Sequence, residues 1–255
     1  MYKSALLGRD ISYTRSPEIH SAIAGVLGIT IDFRVADVPY DRLDTAVAGL
    51  LSDCDGFFIT KPYKQDIKRY LDRTETRCGV NFVRCGDKTG FNTDGAGFMR
   101  ALERAFGGAA EINSVLVLGS GGAAYSVAEA LVNAGKRVFV LNRTLMHSAK
   151  LCAALGAEMY VNQPAELIVN CTSAGLHGED VLNELCVMPD FEYAYDLIYS
   201  PPETPFLRRC KASGAKTCNG RDMLVYQAIE GDRILTGKDF DVQSVFEAVN
   251  RSLDF

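Results

Sequence analysis

The sequence predicts an α/β chain folded as two domains, and three observations predict it. Short apolar runs alternate with helix-like patterns from the start of the chain, the order expected of parallel sheets covered by helices. One run, Val115-Leu116-Val117-Leu118, passes straight into a glycine-rich turn, Gly119-Ser120-Gly121-Gly122-Ala123-Ala124. The length of 255 residues is enough for one large domain or two smaller ones.

That turn is the chemical centre of the second half. Gly119, Gly121 and Ala124 fit the spacing G-x-G-x-x-G/A. The first glycine lets the strand turn sharply. The second lets the backbone approach a pyrophosphate, and the small third residue lets helix and strand pack closely. The phosphates would then meet the N-terminus of a helix predicted over 123–134, where unpaired N–H groups favour negative charge. Gly135 ends that helix, and Val138-Phe139-Val140-Leu141 is the next strand. An acidic residue at the end of this strand would bind the ribose 2′-OH of NAD. The chain has Asn142-Arg143-Thr144 there, and a guanidinium suits a 2′-phosphate, so NADP is the expected cofactor. A Rossmann turn without a nucleotide, or one for S-adenosylmethionine, fits the same spacing.

Before the turn, Ala5-Leu6-Leu7 is a short strand stopped by Gly8. Ser16-Pro17 predicts a helix start, with Ser16 as the cap; Ile19, Ile23, Val26 and Leu27 form its apolar face and Gly28 ends it. Residues 29–38 read as a strand with Ile31, Phe33 and Val35 on one side, and 40–51 as a helix. Gly56-Phe57-Phe58-Ile59-Thr60 is a third strand, with Pro62 in the turn that follows. This βαβα order predicts a parallel sheet here too. Residues 80–83 read as a strand, 90–95 as a loop and 96–106 as a helix. Beyond the turn, Leu167-Ile168-Val169-Asn170 is a strand, and the Cys171-Thr172-Ser173-Ala174-Gly175 loop belongs at the carboxyl edge, where a cofactor binds. Residues 193–197 and 215–218 read as strands. Thr204-Pro205 opens a helix, Gly220 precedes a long one to about Leu235, and 241–253 is an amphipathic last helix expected to fold back on the first domain.

Composition narrows the function. The formal charge is −5, without a block of Lys and Arg, which argues against nucleic acid as a partner. No apolar stretch reaches 18 residues, so no membrane span is expected, and the apolar run near Met1 is too short for a signal core. Eight cysteines, at 54, 78, 85, 152, 171, 186, 210 and 218, form no C-x-x-C and no metal spacing with the three histidines. Scattered reduced thiols, a cytoplasmic location and no metal are the expectation.

A nicotinamide cofactor carries hydride, so the protein must supply orientation and a proton. Lys64 and Asp94 stand out because each follows a strand among small or polar residues. A lysine held by a carboxylate can donate a proton to a carbonyl oxygen. On their own, most lysines and aspartates are solvated surface residues.

Several stretches together, in chain order, resemble the shikimate/quinate dehydrogenase family. Gly8, Ile11, Ser16, Pro17, Ile19 and His20 match its G-x-P-I-x-H-S-x-S-P-x-I-H pattern. Ile59, Thr60, Pro62 and Lys64 match N-V-T-x-P-x-K. Val80-Asn81 and Gly90-Phe91-Asn92-Thr93-Asp94, with Gly97, match V-N-T and G-x-N-T-D-x-x-G. Asn142-Arg143-Thr144, the 170–175 loop, Tyr199, Thr204-Pro205-Phe206-Leu207, Gly220, Met223-Leu224 and Gln227 extend the resemblance over nearly the whole chain.

The resemblance implies an N-terminal α/β substrate domain, 1–97 with 222–255, and a Rossmann NADP-binding domain, 98–221. It implies reversible reduction of 3-dehydroshikimate to shikimate in chorismate biosynthesis, with Lys64 as acid/base and Asp94 its partner. Thr14, Ser16, Thr60, Asn81, Asp94, Tyr199 and Gln227 would bind substrate. Gly119, Ser120, Gly121, Gly122, Ala123, Asn142, Arg143, Thr144, Thr172, Ser173 and Gly220 would hold NADP. A small-molecule substrate, no membrane or nucleic-acid partner, and a homodimer complete the expectation. The chain departs from the pattern at Asp10, Tyr13 and Thr14, and at Phe58 and Phe82, where the family has asparagine and threonine. Those two phenylalanines, expected near the cleft, leave open a paralogue acting on quinate or another polyol acid, or an NADP-binding regulatory protein with weak catalysis.

Overall fold

Chain order alone does not say which strand is central; hydrogen bonding does. In the computed structural model, which describes residues 1–12, 14–108, 111–184 and 189–253, Tyr13 and Cys186 lie outside the described residues. The chain divides into two units, 1–93 with 225–255, and 94–224.

In the first unit, β1 (Tyr2–Gly8) leads to α1 (Ser16–Leu27), β2 (Ile31–Asp37), α2 (Leu43–Asp53) and β3 (Gly56–Ile59). Then come the short strands β4 (Arg73–Thr74), β5 (Phe82–Arg84) and β6 (Thr89–Phe91). The sheet order is β2-β1-β3-β5-β6-β4. β1 pairs in parallel with β2 and β3, as the βαβα order predicts. The rest of the sheet corrects that prediction. β5 runs antiparallel to both β3 and β6, because the turn at Cys85–Asp87 leaves no crossover helix between β5 and β6. Gly90 and Phe91 are therefore strand, and the loop expected over 90–95 shrinks to Asn92-Thr93.

Capping of α1 also differs from expectation. Ser16 is the first helical residue, Arg15 occupies the cap position, and no side chain caps there. The Thr14 hydroxyl accepts from the Ser16 N–H at 3.3 Å, which moves the local polar contact one step upstream. Gly28 closes the helix in the left-handed conformation, φ 61°. The helix expected over 40–51 opens instead as a 3-10 turn, Tyr40–Arg42, before α2.

In the second unit, α3 (Asp94–Phe106) precedes β7 (Ser114–Leu118), α4 (Gly122–Asn133), β8 (Arg137–Leu141), α5 (Leu145–Leu155) and β9 (Glu158–Met159). β10 (Leu167–Asn170), β11 (Tyr193–Asp196), α6 (Pro205–Ala212) and β12 (Lys216–Cys218) follow; α7 (Arg221–Thr236) begins in this unit, but from residue 225 it belongs to the first unit, as does all of α8 (Val242–Ser252). The order β12-β11-β10-β7-β8-β9 is parallel throughout. Strand order reverses between β7 and β10, which makes their carboxyl ends a topological switch point. Helix α8 packs on α1, and Val242, Val245, Phe246 and Val249 are buried as the apolar periodicity requires. No helix among the described residues is long and apolar enough to cross a membrane.

Candidate active site

Two groups of residues gather chemistry, one in each unit. In the first unit, Gly8 ends β1 where a Cβ would stand 2.6 Å from Thr60 Cγ2, so only glycine lets the two strand ends meet. The Thr60 N–H donates to Leu7 O at 2.9 Å, and the Tyr63 N–H closes the next turn on Thr60 O at 3.1 Å. Tyr63 is fully buried, with its hydroxyl on Val38 O at 2.6 Å. Lys64 follows. Its carbonyl accepts from the Val80 N–H at 2.7 Å, which holds the lysine backbone against the residue before Asn81, and Lys64 itself is half-buried.

Asn81 sits next to that clamp. Its backbone bridges Ile59 N–H (2.8 Å) and Phe91 O (2.9 Å), tying β3 to β6. Its side chain is 2% exposed: Oδ1 accepts from the Thr93 N–H at 2.8 Å, and Nδ2 donates to Thr93 Oγ1 at 2.9 Å and Gln227 Oε1 at 3.4 Å. Thr93 Oγ1 in turn donates to Gln227 O at 2.9 Å. The structure thus brings Asn81 and Gln227 together through Thr93. Sequence reasoning quoted Thr93 only as part of a motif; its signal was its place between Asn92 and Asp94. Thr14 and Ser16 also meet, with hydroxyls 3.1 Å apart. Asp94, buried, is the first residue of α3 and belongs to the second unit.

Phe58 and Phe82 are not where the sequence placed them. They are register partners across β3 and β5, 3% and 0% exposed, with rings 4.8 Å apart. His20 stacks on Phe33 (4.2 Å) and lies 4.3 Å from Phe58, and its Nδ1 is 2.8 Å from Asp232 Oδ2, both groups buried. Burial raises the Asp232 carboxyl, and His20 partly offsets the rise. A Cβ on Gly231 would stand 2.2 Å from the Phe58 ring, so the ring lies directly on the α7 backbone. The two departures from the family pattern are one complementary pair of core rings. Asp10 departs for a backbone reason as well: its φ of 55° is closed to proline.

In the second unit, the glycine turn behaves as its spacing requires. Gly119 has φ 110° and donates its N–H to Leu141 O at 2.7 Å, which pins the turn beside the end of β8 and the Asn142-Arg143-Thr144 segment. A Cβ there would come 3.0 Å from Thr172 Cγ2, so β7 and β10 close on one another across this glycine. A Cβ on Gly121 would meet no described atom within 4 Å, and Gly121 caps α4. Bare backbone, open space and a helix N-terminus coincide, which fits a pyrophosphate. Arg143 and Thr144 are exposed, Asn142, Ser120, Gly122, Ala123 and Thr172 half-buried, and Ser173 exposed. Tyr199 is half-buried after β11. Gly220 has a packing reason of its own, since a Cβ would lie 2.0 Å from Leu197 O.

The loop after β10 is shaped by a network that sequence reasoning missed. Fully buried Asn170 accepts from Thr172 N–H (3.0 Å) and Oγ1 (2.7 Å), and donates to Ala174 O and Asp196 Oδ1, both at 3.0 Å. Asp196 also accepts from Ile198 N–H (3.0 Å) and Thr204 Oγ1 (2.6 Å), and Thr204 caps α6. Burial raises the Asp196 carboxyl despite these bonds; desolvation outweighs them. Among the described residues no cluster of His, Cys, Asp and Glu is placed to hold a metal.

A parallel sheet with a dinucleotide turn at its switch point, joined in one chain to a second α/β unit with a polar cluster beside a fixed lysine, defines a two-domain nicotinamide-dependent dehydrogenase. Family profiles for the shikimate dehydrogenase substrate binding domain and for shikimate / quinate 5-dehydrogenase match residues 6–80 and 101–174. A shikimate dehydrogenase (NADP(+)) of Desulfitobacterium hafniense is 33% identical, over 98% of this chain and 97% of its own. The chain superposes with TM-score 0.86 and 32% identity on a shikimate 5-dehydrogenase of Thermus thermophilus in complex with NADP(H) and shikimate, covering 99% and 100% of the two chains. A quinate dehydrogenase of Corynebacterium glutamicum in complex with NAD gives 0.82 and 28%, covering 99% of each. The chain belongs to the shikimate dehydrogenase family.

Proposed function

We propose that this protein is an NADP-dependent shikimate dehydrogenase that interconverts 3-dehydroshikimate and shikimate in aromatic amino acid biosynthesis, in the cytoplasm, as a homodimer. Substrate recognition is assigned to 1–97 with 222–255, and NADP binding to 98–221. The observation that carries the reading is the backbone clamp on Lys64, next to the Asn81–Thr93–Gln227 network.

When bound, NADPH supplies the hydride. The glycine turn, Thr172 and Ser173 would hold its pyrophosphate side, and Arg143, with Asn142 and Thr144, its 2′-phosphate. Lys64 donates the proton to the ketone oxygen and takes it back in the reverse direction, with Asp94 as its carboxylate partner. Thr14 and Ser16 offer hydroxyls to the substrate carboxylate. Thr60, Asn81, Asp94 and Gln227 take the ring hydroxyls, and Tyr199 lines the nicotinamide side.

Holding the backbone that carries the proton donor before substrate arrives lowers the ordering cost at the moment of reaction. Lys64→Ala lowers kcat by about two to four orders of magnitude, the range of general acid–base catalysis, and leaves NADPH binding unchanged. Turnover near that of the parent protein would overturn the role of Lys64.

A further inference from the structure

Helices α1 and α7 each carry a residue proposed to bind substrate, and one buried polar contact joins them. His20 Nδ1 on α1 lies 2.8 Å from Asp232 Oδ2 on α7, with side chains 1% and 0% exposed. Asp232 Oδ1 has no hydrogen-bond partner among the described residues, so the carboxyl is held through His20 alone. The imidazole is itself confined. Phe33 of β2 stacks on it at 4.2 Å, and Phe58 of β3 tilts against it at 4.3 Å. Phe58 also reaches α7, since a Cβ on Gly231, the residue before Asp232, would stand 2.2 Å from its ring. Helix α7 therefore meets the sheet on bare backbone at Gly231 and meets α1 through one polar bond a residue later. Apolar residues of the same volume often bind as firmly, so stability alone does not account for a buried ionisable pair. What a 2.8 Å bond adds to packing is a set distance and direction.

We propose that His20 and Asp232 are a positioning pair for substrate recognition: their bond sets the spacing of α1 and α7, and with it the distance from the Ser16 hydroxyl to the Gln227 side chain. The inference rests on the substrate contacts proposed above for those two residues. Ser16 lies four residues before His20, on the same face of α1 and ~6 Å along its axis. Gln227 lies five residues before Asp232, ~8 Å along α7. It also lies four before Gly231, so it shares the face that rests on Phe58. Each partner thus stands about one turn from a group that meets the substrate. Gln227 has a defined place: its Oε1 accepts from Asn81 Nδ2 at 3.4 Å and its carbonyl from Thr93 Oγ1 at 2.9 Å. A slide or rotation of α7 breaks the longer bond first and swings the side chain away from the ring hydroxyl it serves. His20 and Asp232 act through Gln227 and touch no substrate themselves.

The test is steady-state kinetics with shikimate and NADP. Asp232→Ala alone strands the imidazole, so the variant to use is His20→Phe with Asp232→Ala. It removes both polar groups and replaces, in the larger ring, the volume lost with the carboxylate. This pair variant melts cooperatively near the parent protein, with kcat and the KM for NADP unchanged. Its KM for shikimate rises about tenfold, the effect of losing one hydrogen bond that substrate makes equally in ground state and transition state. Asp232→Asn keeps a bond to either ring tautomer and holds the parent KM. Gln227→Ala raises the KM about tenfold in the parent, but less than about twofold when added to the pair variant, because the contact is already lost. A parent KM for shikimate in the pair variant overturns the proposal. So does a full tenfold further loss on adding Gln227→Ala to it, since the pair then acts on the fold and not through Gln227. Absence of shikimate turnover in the parent protein overturns the substrate reading, and the role of the pair with it.

Discussion

The two sheets solve different recognition problems with different parts of the chain. The second sheet offers backbone: a bare glycine turn, a helix N-terminus, and the carboxyl ends of β7 and β10 at the point where strand order reverses. Its polar side chains, Asn170, Asp196 and Thr204, are fully buried and spent on one another, so they shape the loop. The first sheet offers side chains. Lys64 and Gln227 are half-buried, and Gln227 bonds Asn81 in the network to which substrate hydroxyls are assigned above as a proposal. Phosphates are well served by backbone N–H groups, whereas ring hydroxyls need donors and acceptors placed one by one. The comparison teaches that a mixed sheet with short strands is suited to the second task, because it brings β3, β5 and β6 close enough for one asparagine to bridge them.

Three experiments bear on this division, from the largest effect to the smallest. Phe58→Asn restores the family's residue but puts an amide between Phe82, His20 and the α7 backbone. It should cost about 4 kcal/mol, the sum of a lost aromatic side chain and a buried amide without a partner, read from the denaturation midpoint. A protein as stable as the parent would mean that Phe58 faces the substrate and not the core. Arg143→Ala should weaken NADPH binding by about 10- to 100-fold, the worth of a charge-assisted hydrogen bond, and leave NADH unaffected. Equal losses for both cofactors would remove the 2′-phosphate assignment.

The smallest effect is in alkali. Burial pushes the thiols of Cys85 and Cys210 up to about 12, and that of Cys218 up to about 11. An unfolded thiol ionises near ~8.5, so the folded state holds more protons above that pH. The stability these thiols contribute is intact below ~8.5 and is lost as pH rises towards the folded values. Melting temperature should therefore fall steadily above pH ~8.5, and native alkylation at these positions should be slow. A flat profile with fast labelling of Cys210 would contradict the buried placement.

The second sheet was readable from sequence because its strands are apolar runs punctuated by glycine, and Gly119, Gly121 and Ala124 keep the spacing that a pyrophosphate requires. Helix α5 escaped notice, since Leu145 and Met146 are exposed and blur its apolar face. The first sheet misled more. Gly90 and Phe91 look like loop because glycine and asparagine surround them, yet pairing with Phe82 and Val83 makes them strand. Phe58 and Phe82 looked like lost polar contacts because nothing in one dimension shows that they oppose each other. Thr93 was visible only as a motif letter, and its bond to the Gln227 carbonyl depends on a helix more than a hundred residues away.

The most direct measurement is absorbance of the reduced nicotinamide with purified protein, shikimate and NADP, repeated with quinate and with NAD. Rapid reduction with shikimate and NADP, and much slower reduction with the other pairings, is the predicted result. Activity only with quinate or NAD, or binding of NADPH with no turnover on any pairing, would contradict the assignment of this chain as an NADP-dependent shikimate dehydrogenase.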